Sequence, residues 1–329
     1  MATWGGDNVQ TTRRSFLAAV GATASAMAAS DAAKTTPAAA GSRFYVALVT
    51  PCDSRGRFDE ALYRDLMPFY KERGADGILV LGSTGEFPSF SVAERKKVAE
   101  AALKHRSGLE MMVQVGTPNL PETLDLLAHA QANGADQALC IPPFYFKNPA
   151  TEALTKYYSQ VLEAAKIPVN LYHYPAMSAI PISPALLHSL EHFPTLAGIK
   201  DSTGNAESYA ANVKEFPKLN MMTGTENNLP AALAAGKGAI MVSGNLFPRQ
   251  VSACFEAQRK GGDVAAAYAK LREVNALSRV QGGGGAAAIK FALQAYGFRE
   301  SFVRPPQSEL TDAQKAQLRA NFPKIKALG

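Results

Sequence analysis

Short apolar runs alternate with longer amphipathic segments along most of the chain. Eight of these runs have the length of a β-strand. They cover residues 44–49, 77–81, 111–115, 136–140, 169–172, 196–200, 221–223 and 239–242. Their side chains are apolar on both faces, which is typical of parallel strands that helices cover from both sides. The pattern therefore predicts an α/β fold built around a parallel sheet.

Helical periodicity and helix-end signals fill the intervals between these runs. Residues 59–73 place their leucines on one face, and the segment ends at Gly74, a residue type that commonly terminates helices. Ser91 and Glu94 have the spacing of a capping box at the start of the next helix. Eight strand–helix units favour a closed (β/α)8 TIM barrel. An open doubly wound sheet is the alternative, although the glycine fingerprint of a dinucleotide fold does not follow the first run.

Beyond Val242 the pattern is purely helical. The helical segments cover residues 247–261, 263–280 and 286–296, followed by a last one that begins with a capping box at Thr311 and Gln314. This tail is too long to be the eighth barrel helix alone. We therefore predict a barrel over residues 43–246, and its last helix with a C-terminal helical appendage over residues 247–329.

Composition and charge agree with one large globular domain. The chain has 329 residues, 47% of them hydrophobic, which is enough for one sizeable core. The net charge is +6, but the basic residues are interleaved with acidic ones and form no stripe with aromatic residues, which argues against nucleic-acid binding. The odd cysteine count, with Cys140 inside a strand, predicts that Cys52, Cys140 and Cys254 are buried thiols.

The first 42 residues have a different character. Residues 11–17 read TTRRSFL and precede an alanine-rich stretch to Ala29, which is the layout of a twin-arginine export signal; residues 31–42 resemble a linker. The apolar stretch is too short to be a stable membrane anchor, so we expect no membrane association of the mature form. The prediction is an exported, periplasmic or secreted protein. The alternative is a cytoplasmic protein with a basic N-terminus.

Chemistry-bearing side chains follow several of the predicted strands. Lys200 ends the sixth run, where partial desolvation at the open end of a buried strand favours a neutral, nucleophilic amine that can form an imine with a keto acid. Residues 82–86, GSTGE, follow the second run and offer exposed amides and two hydroxyls to a carboxylate. Tyrosines follow the fourth run at Tyr145 and end the fifth at Tyr172. In a barrel these loops gather at one face, so the groups are expected to converge.

Three of these motifs together resemble one enzyme family. Residues 82–86 (GSTGE), 172–175 (YHYP) and 198–204 (GIKDSTG) are similar to those of the dihydrodipicolinate synthase and N-acetylneuraminate lyase family. The likeness extends from Phe44 to the C-terminus. Members are (β/α)8 barrels that condense or release pyruvate through a lysine Schiff base. The resemblance implies an enzyme with no cofactor beyond the covalent imine, acting on small molecules as a homo-oligomer, a dimer of dimers.

The resemblance also implies catalytic roles for four residues. Lys200 would form the imine with the keto carbon of pyruvate. Tyr172 would be the general acid/base at the partner aldehyde oxygen. Ser83 would link Tyr172 to Tyr145 in a proton relay, and Tyr145 would reach into the site from a neighbouring subunit.

Further positions match the family's substrate-binding residues. Thr84 and the amides around Gly85 would hold the pyruvate carboxylate. Glu226, Asn227 and Ser243, after the seventh and eighth runs, resemble positions that touch the distal part of the substrate in the sugar-acid lyases. For these last three residues, ordinary loop polarity is an equally good interpretation.

One departure from the family concerns the substrate. Synthases that condense pyruvate with aspartate semialdehyde carry an arginine shortly after the YxxP motif, where it pairs with the aldehyde's carboxylate. Met177 stands at that position, and a thioether cannot replace a cation. The sequence thus favours a lyase or 2-keto-3-deoxy sugar acid aldolase. The synthase and a sugar-acid dehydratase using the same imine remain alternatives.

Proteins of other classes fit the sequence less well. A metal-dependent aldolase needs clustered ligands, but four of the five histidines fall on predicted helices or their ends, and only His173 lies near the strand ends. An exported, non-catalytic keto-acid binding protein is an alternative of a different kind. Loss of Lys200 or Tyr172 would favour it, and both residues are present.

Overall fold

Eight parallel strands close into a barrel in which every strand pairs with its sequence neighbours and the first pairs with the last. The structure is a computed structural model that describes residues 42–328. The strands are β1 (Phe44–Ala47), β2 (Gly77–Val80), β3 (Glu110–Gln114), β4 (Gln137–Cys140), β5 (Val169–His173), β6 (Leu196–Asp201), β7 (Asn220–Thr223) and β8 (Ala239–Met241). The predicted (β/α)8 barrel is confirmed, and each of the eight apolar runs overlaps one strand.

Helices connect the strands and continue beyond the last one. They are α1 (Glu60–Glu72), α2 (Val92–Lys104), α3 (Leu120–Ala132), α4 (Thr151–Ala164), α5 (Pro175–Ser178), α6 (Pro184–Leu190), α7 (Ala206–Glu215), α8 (Leu229–Ala234), α9 (Pro248–Lys260), α10 (Val264–Asn275), α11 (Gly285–Ala292) and α12 (Asp312–Ala327). Short 3-10 turns cover Phe87–Ser89, Glu226–Asn228, Ser243–Asn245, Ala276–Ser278 and Leu293–Tyr296. Helices α10, α11 and α12 form the predicted C-terminal extension.

Local sequence signals set the helix ends. The Asp59 side chain accepts a hydrogen bond from the Leu62 amide at 3.0 Å and caps α1, and Gly74 just beyond the helix has φ +83°. Ser91 and Glu94 form a reciprocal capping box on α2. A second capping box, at Thr311, opens α12. The two predicted capping boxes and the predicted helix end at Gly74 are confirmed.

The strand register brings the catalytic candidates together. Lys200 on β6 pairs with Tyr172 on β5 and with Met222 on β7. Strand β6 extends one residue beyond the predicted end because Asp201 still pairs with His173 on the neighbouring strand. Since alternate residues of a strand point to opposite faces, Lys200 and Tyr172 share one face of the sheet.

A buried side chain extends the pairing between the last strand and the first. Asn245, in the turn after β8, donates from Nδ2 to the carbonyl of Ala47 at 2.8 Å and accepts the amide of Val49 at 3.2 Å. The backbone carbonyl of Asn245 accepts a hydrogen bond from the hydroxyl of Tyr70 on α1 at 3.3 Å. Because β8 has only three residues, this amide substitutes for ladder hydrogen bonds and completes the barrel near its carboxyl end.

The three cysteines are free and buried, as predicted. Within residues 42–328, no helix is long and apolar enough to cross a membrane. The predicted twin-arginine motif lies outside the described residues, and the division of the chain at residues 42 and 246 stays a prediction.

Candidate active site

Lys200 lies inside the barrel mouth rather than in solvent. Its residue is 4% exposed, and its Nζ is 4.3 Å from the centre of the Tyr172 ring. Gly224, at the end of β7, makes room for it, because a Cβ there would come within 3.0 Å of Lys200 Cε. Among the ion pairs of residues 42–328, none involves Lys200. The amine is therefore buried, next to a phenol, and without a carboxylate partner in the described chain.

Tyr172 connects this amine to the loop after β2. The tyrosine is 2% exposed, and its hydroxyl is 3.3 Å from Ser83 Oγ, within hydrogen-bonding distance. The ring also packs against Tyr174, with centroids 5.7 Å apart. The structure thus brings Lys200, Tyr172 and Ser83 into one group, as the sequence predicted.

The loop after β2 has an unusual backbone. Residues 82–85 are flanked by Leu81 and Glu86, which both adopt left-handed conformations with φ of +58° and +57°. A left-handed conformation costs a residue with a side chain about 1–3 kcal/mol, and such residues cluster at functional sites. The surrounding structure must therefore hold this loop in place.

The same loop offers unpartnered hydrogen-bond donors. No hydrogen bond between described residues uses the amide of Thr84 or Gly85 as a donor. The carbonyl of Gly85 is fixed by the Thr50 hydroxyl at 2.8 Å. A Cβ at Gly85 would lie 3.0 Å from the carbonyl oxygen of Leu48, so the backbone packs too closely for a side chain. Two free amides beside the hydroxyls of Ser83 and Thr84 can bind a small anion such as a carboxylate.

Tyr145 stands apart from this group. It is 72% exposed, and its ring packs edge-to-face on Phe146, with centroids 5.3 Å apart. Within residues 42–328 its hydroxyl has no hydrogen bond to Ser83 or Tyr172. Within a single chain, Tyr145 therefore lies away from Ser83 and Tyr172. The family resemblance implies that it serves the site of a neighbouring subunit.

The residues predicted to touch the distal substrate lie in the turns after β7 and β8. Glu226 is half-buried, with its carbonyl bound by the Tyr268 hydroxyl at 3.0 Å, and Asn227 is exposed. Ser243 is buried, and its Oγ has no partner among the described residues. The adjacent Asn228 is also buried with an unpartnered side-chain amide. Sequence reasoning missed Asn228, although its position directly after Asn227 could have suggested it.

Met177 is exposed on the short helix α5, with 63% of its surface accessible. Lys147 contacts this helix and donates to the carbonyls of Phe144 and, at 3.4 Å, of Ser178. Lys147 therefore links the loop after β4 to α5, and its ammonium is already engaged by backbone oxygens.

His173 has a structural role in the strand that carries Tyr172. Its Nδ1 accepts the amide of Ile182 at 3.0 Å, and burial lowers the pKa of the imidazole below its ordinary value. The histidine is thus a neutral acceptor that fixes the loop after α5. In the part of the chain that the structure describes, no group of three or more histidine, cysteine, aspartate or glutamate side chains could hold a metal ion.

This arrangement can perform carbonyl chemistry. A buried amine is suited to attack a carbonyl carbon, a phenol beside it can carry a proton, and a loop with free amides can hold a carboxylate. The three features meet through the contact between Ser83 and Tyr172 and the pairing of Tyr172 with Lys200.

Comparisons with known proteins agree with this geometry. Residues 40–325 match the model of the dihydrodipicolinate synthetase family. An uncharacterized DapA-like lyase from Chloroflexus aurantiacus is 35% identical over 288 residues, covering 85% of this chain and 96% of the relative. A 4-hydroxy-tetrahydrodipicolinate synthase from Acidiphilium cryptum is 33% identical over 282 residues, covering 84% and 95%.

A solved structure is similar over the same region. YagE, a prophage protein of the dihydrodipicolinic acid synthase family from E. coli K12, was determined in complex with pyruvate and is 28% identical. Its TM-score is 0.80, with 87% of this chain and 98% of that chain covered. With a family model that spans most of its length and relatives named as lyases and synthases, the chain belongs to the dihydrodipicolinate synthetase family.

Proposed function

We propose that the protein is a pyruvate-dependent lyase or aldolase that makes or breaks a carbon–carbon bond in a 2-keto acid through an imine on Lys200. The observation that carries this proposal is the contact of the buried Lys200 amine with Tyr172. Nζ of Lys200 lies 4.3 Å from the centre of the Tyr172 ring, and no carboxylate of the described chain forms an ion pair with it. The solved relative with bound pyruvate supports the choice of keto acid.

The reaction begins at the amine. Nζ of Lys200 attacks the keto carbon, the Tyr172 hydroxyl gives its proton to the departing hydroxyl, and the carbinolamine thereby loses water to give a protonated imine. Thr84 and the amide of Gly85 hold the substrate carboxylate, which fixes the keto carbon near Nζ. The positive imine then accepts an electron pair from the adjacent carbon–carbon bond.

Bond cleavage needs one proton transfer at each end. For a 4-hydroxy-2-keto acid, Tyr172 takes the proton of the 4-hydroxyl, the bond between C3 and C4 breaks, and the aldehyde leaves. The electron pair forms an enamine, and the proton that Tyr172 has taken is delivered to C3, which restores the protonated imine and leaves Tyr172 ready to accept the proton released when the imine is hydrolysed. Water then hydrolyses the imine, releasing pyruvate and the free amine. Ser83, 3.3 Å from the Tyr172 hydroxyl, orients that group and relays its proton.

The proposed relay is completed by a second copy of the chain. Tyr145 is exposed at the end of the loop after β4 and has no partner in the relay within its own described chain. We place it in the site of a neighbouring subunit in a dimer, which would bury the adjacent Phe146 at the same time.

The substrate proposal favours the lyase branch. An exposed thioether at Met177 gives an incoming aldehyde no fixed cation, whereas a semialdehyde carboxylate requires one. Unpartnered polar side chains at Ser243 and Asn228 favour a distal end that carries hydroxyl groups. The named relative from Acidiphilium cryptum keeps condensation with aspartate semialdehyde as the second candidate.

The test is an assay of pyruvate release and consumption. Wild-type protein is incubated with a panel of 4-hydroxy-2-keto acids, including N-acetylneuraminate and 2-keto-3-deoxy sugar acids, and separately with pyruvate plus aspartate semialdehyde. The proposal predicts pyruvate release from at least one hydroxylated acid and none from a Lys200→Met variant. Turnover that survives in Lys200→Met would overturn the imine mechanism. Consumption of aspartate semialdehyde alone would assign the synthase activity instead.

A further inference from the structure

A buried ion pair joins the loop after β2 to the C-terminal appendage. Glu86, the last residue of the GSTGE motif, places Oε1 2.6 Å from Nζ of Lys290 on α11. Both side chains are almost completely inaccessible, at 2% and 0%. Among the described residues Oε1 accepts no hydrogen bond, so this contact is an ion pair.

The rest of the appendage completes the attachment. The second carboxylate oxygen of Glu86 accepts the amide of Arg304 at 2.8 Å, and Lys290 donates to the carbonyl of Phe302 at 2.6 Å. Phe302 in turn donates its amide to Cys52, in the loop after β1, at 2.9 Å. The carboxylate is therefore held from two sides by the appendage, by Lys290 on α11 and by the backbone of Arg304 before α12.

Arg304 extends this attachment to the far end of the same loop. Its guanidinium donates to the carbonyl of Ser89 at 2.9 Å and to Glu94 Oε1 at 2.7 Å. It also lies 3.9 Å above the ring of Phe90. The chain from Glu86 to Glu94 is thus fastened to the appendage at three points.

The barrel holds part of this loop through the hydrogen bond from Thr50 to the carbonyl of Gly85, but that contact does not reach the Glu86 side chain. Glu86 adopts a left-handed backbone conformation although it carries a side chain. The preceding residue is Gly85, whose amide donates to no group in the described chain. Such a conformation persists only where neighbouring groups over-determine it. At Glu86 those groups are Lys290 and the backbone amide of Arg304.

We propose, building on the proposed function, that Glu86 and Lys290 are positioning residues for the keto-acid carboxylate. The ion pair holds residues 82–85 so that the amides of Thr84 and Gly85 face the substrate. It makes the helical appendage part of the substrate-binding apparatus, although no residue of the appendage touches the reacting atoms.

The experiment compares variants of the pair with wild-type protein. Lys290→Met leaves the Glu86 carboxylate buried without its cation, and Glu86→Gln/Lys290→Met removes both charges while keeping similar volumes, which folded proteins often tolerate. Two quantities are measured: the pyruvate concentration that gives half-maximal borohydride trapping, and the amide hydrogen exchange of residues 82–87 without ligand. Arg43→Met is the control, because it breaks the Arg43–Glu110 ion pair at the opposite end of the barrel.

The proposal predicts a specific change in the folded double variant. The half-saturating pyruvate concentration rises about tenfold, as is common when a supporting contact behind a binding group is lost. The maximal extent of trapping changes little, because the Lys200 amine remains. Exchange of the loop amides becomes about tenfold faster. Arg43→Met lowers the melting temperature and leaves both quantities at their wild-type values.

Several outcomes would overturn the proposal. One is a folded double variant that matches wild type in half-saturation and in loop exchange, which would leave the pair a role in stability alone. Another is failure of both Glu86→Gln/Lys290→Met and Lys290→Met to fold, which would make the pair a determinant of folding. If wild-type protein traps no pyruvate, the proposed function fails, and the exchange measurement still decides whether the pair positions the loop.

Discussion

Replacing Gly85 by alanine tests whether the loop after β2 binds the keto-acid carboxylate. The new Cβ would lie 3.0 Å from the carbonyl oxygen of Leu48 and 3.1 Å from both Leu81 Cα and Thr50 Oγ1. Ordinary contact begins at 3.4 Å, so the loop must move by about 0.4 Å. Two of the three obstructing atoms belong to the backbone and cannot rotate away. The Gly85 backbone itself is not left-handed, so alanine adds crowding without backbone strain.

The displacement sets the size of the effect. A misplacement of 1 Å can cost about 10²-fold in kcat/KM, so a proportional shift of about 0.4 Å costs roughly 1 kcal/mol, or about sixfold. We expect the KM for the keto acid to rise by that factor with kcat nearly unchanged, because the carboxylate is bound equally in the ground and transition states. Overpacking also costs about 1–3 kcal/mol of stability, which lowers the melting temperature by roughly 2–10 °C.

The matched control is Gly262→Ala. A Cβ at Gly262 meets its nearest neighbour, Ala257 Cα, at 3.5 Å, which is ordinary contact, and the residue lies between α9 and α10. Steady-state kinetics and thermal denaturation are measured on both variants. Equal KM values for Gly85→Ala and Gly262→Ala would refute the assignment of this loop to carboxylate binding.

Three further predictions concern single side chains. Tyr172→Phe should lower kcat by about 10²–10⁴-fold, the usual contribution of general acid–base catalysis, while pyruvate is still trapped; near-normal release of pyruvate would exclude this phenol as the acid/base. The hydrogen bond from Arg304 lowers the pKa of Glu94 to about 2. The ionised Glu94 carboxylate therefore contributes fully to the free energy of unfolding above about pH 4.5, and this contribution is lost as the pH falls toward 2. The melting temperature of Glu94→Gln should therefore lie below wild type at pH 7, by the equivalent of about 1 kcal/mol for a partly exposed pair, and converge with it in acid; a gap independent of pH would contradict this. Burial lowers the pKa of His173, so wild type should lose stability as pH falls below about 6.5, and His173→Asn should lose less; parallel pH profiles in a denaturation series would show that the histidine is not the titrating group.

The barrel could be predicted from the sequence because its determinants are local. Each strand is a continuous apolar run, and the helices begin and end at short-range signals such as the capping box at Ser91 and the left-handed Gly74. Strand ends differ from the prediction by a residue or two, as at β6, where the pairing of Asp201 with His173 extends the strand. The hydrophobic periodicity of one segment does not show which residues pair with the neighbouring strand, so it cannot fix where a strand ends.

The centre of the site was also predictable, because the topology of a parallel barrel brings successive strand ends together. The contact of Lys200 with Tyr172 follows from adjacent strands in register. The support behind the site was not predictable. Glu86 and Arg304 are 218 positions apart, and no local pattern indicates that a glutamate will be left-handed or that Lys290 will be buried. Such contacts depend on how the appendage packs.

The most direct test of the central claim is mass analysis after borohydride reduction in the presence of pyruvate. The account predicts that the intact protein gains the mass of one reduced pyruvate adduct per chain and that peptide mapping locates it on Lys200. It also predicts that Lys200→Met gains none under the same conditions. An unmodified wild-type protein, or an adduct on another lysine that persists in Lys200→Met, would contradict the account.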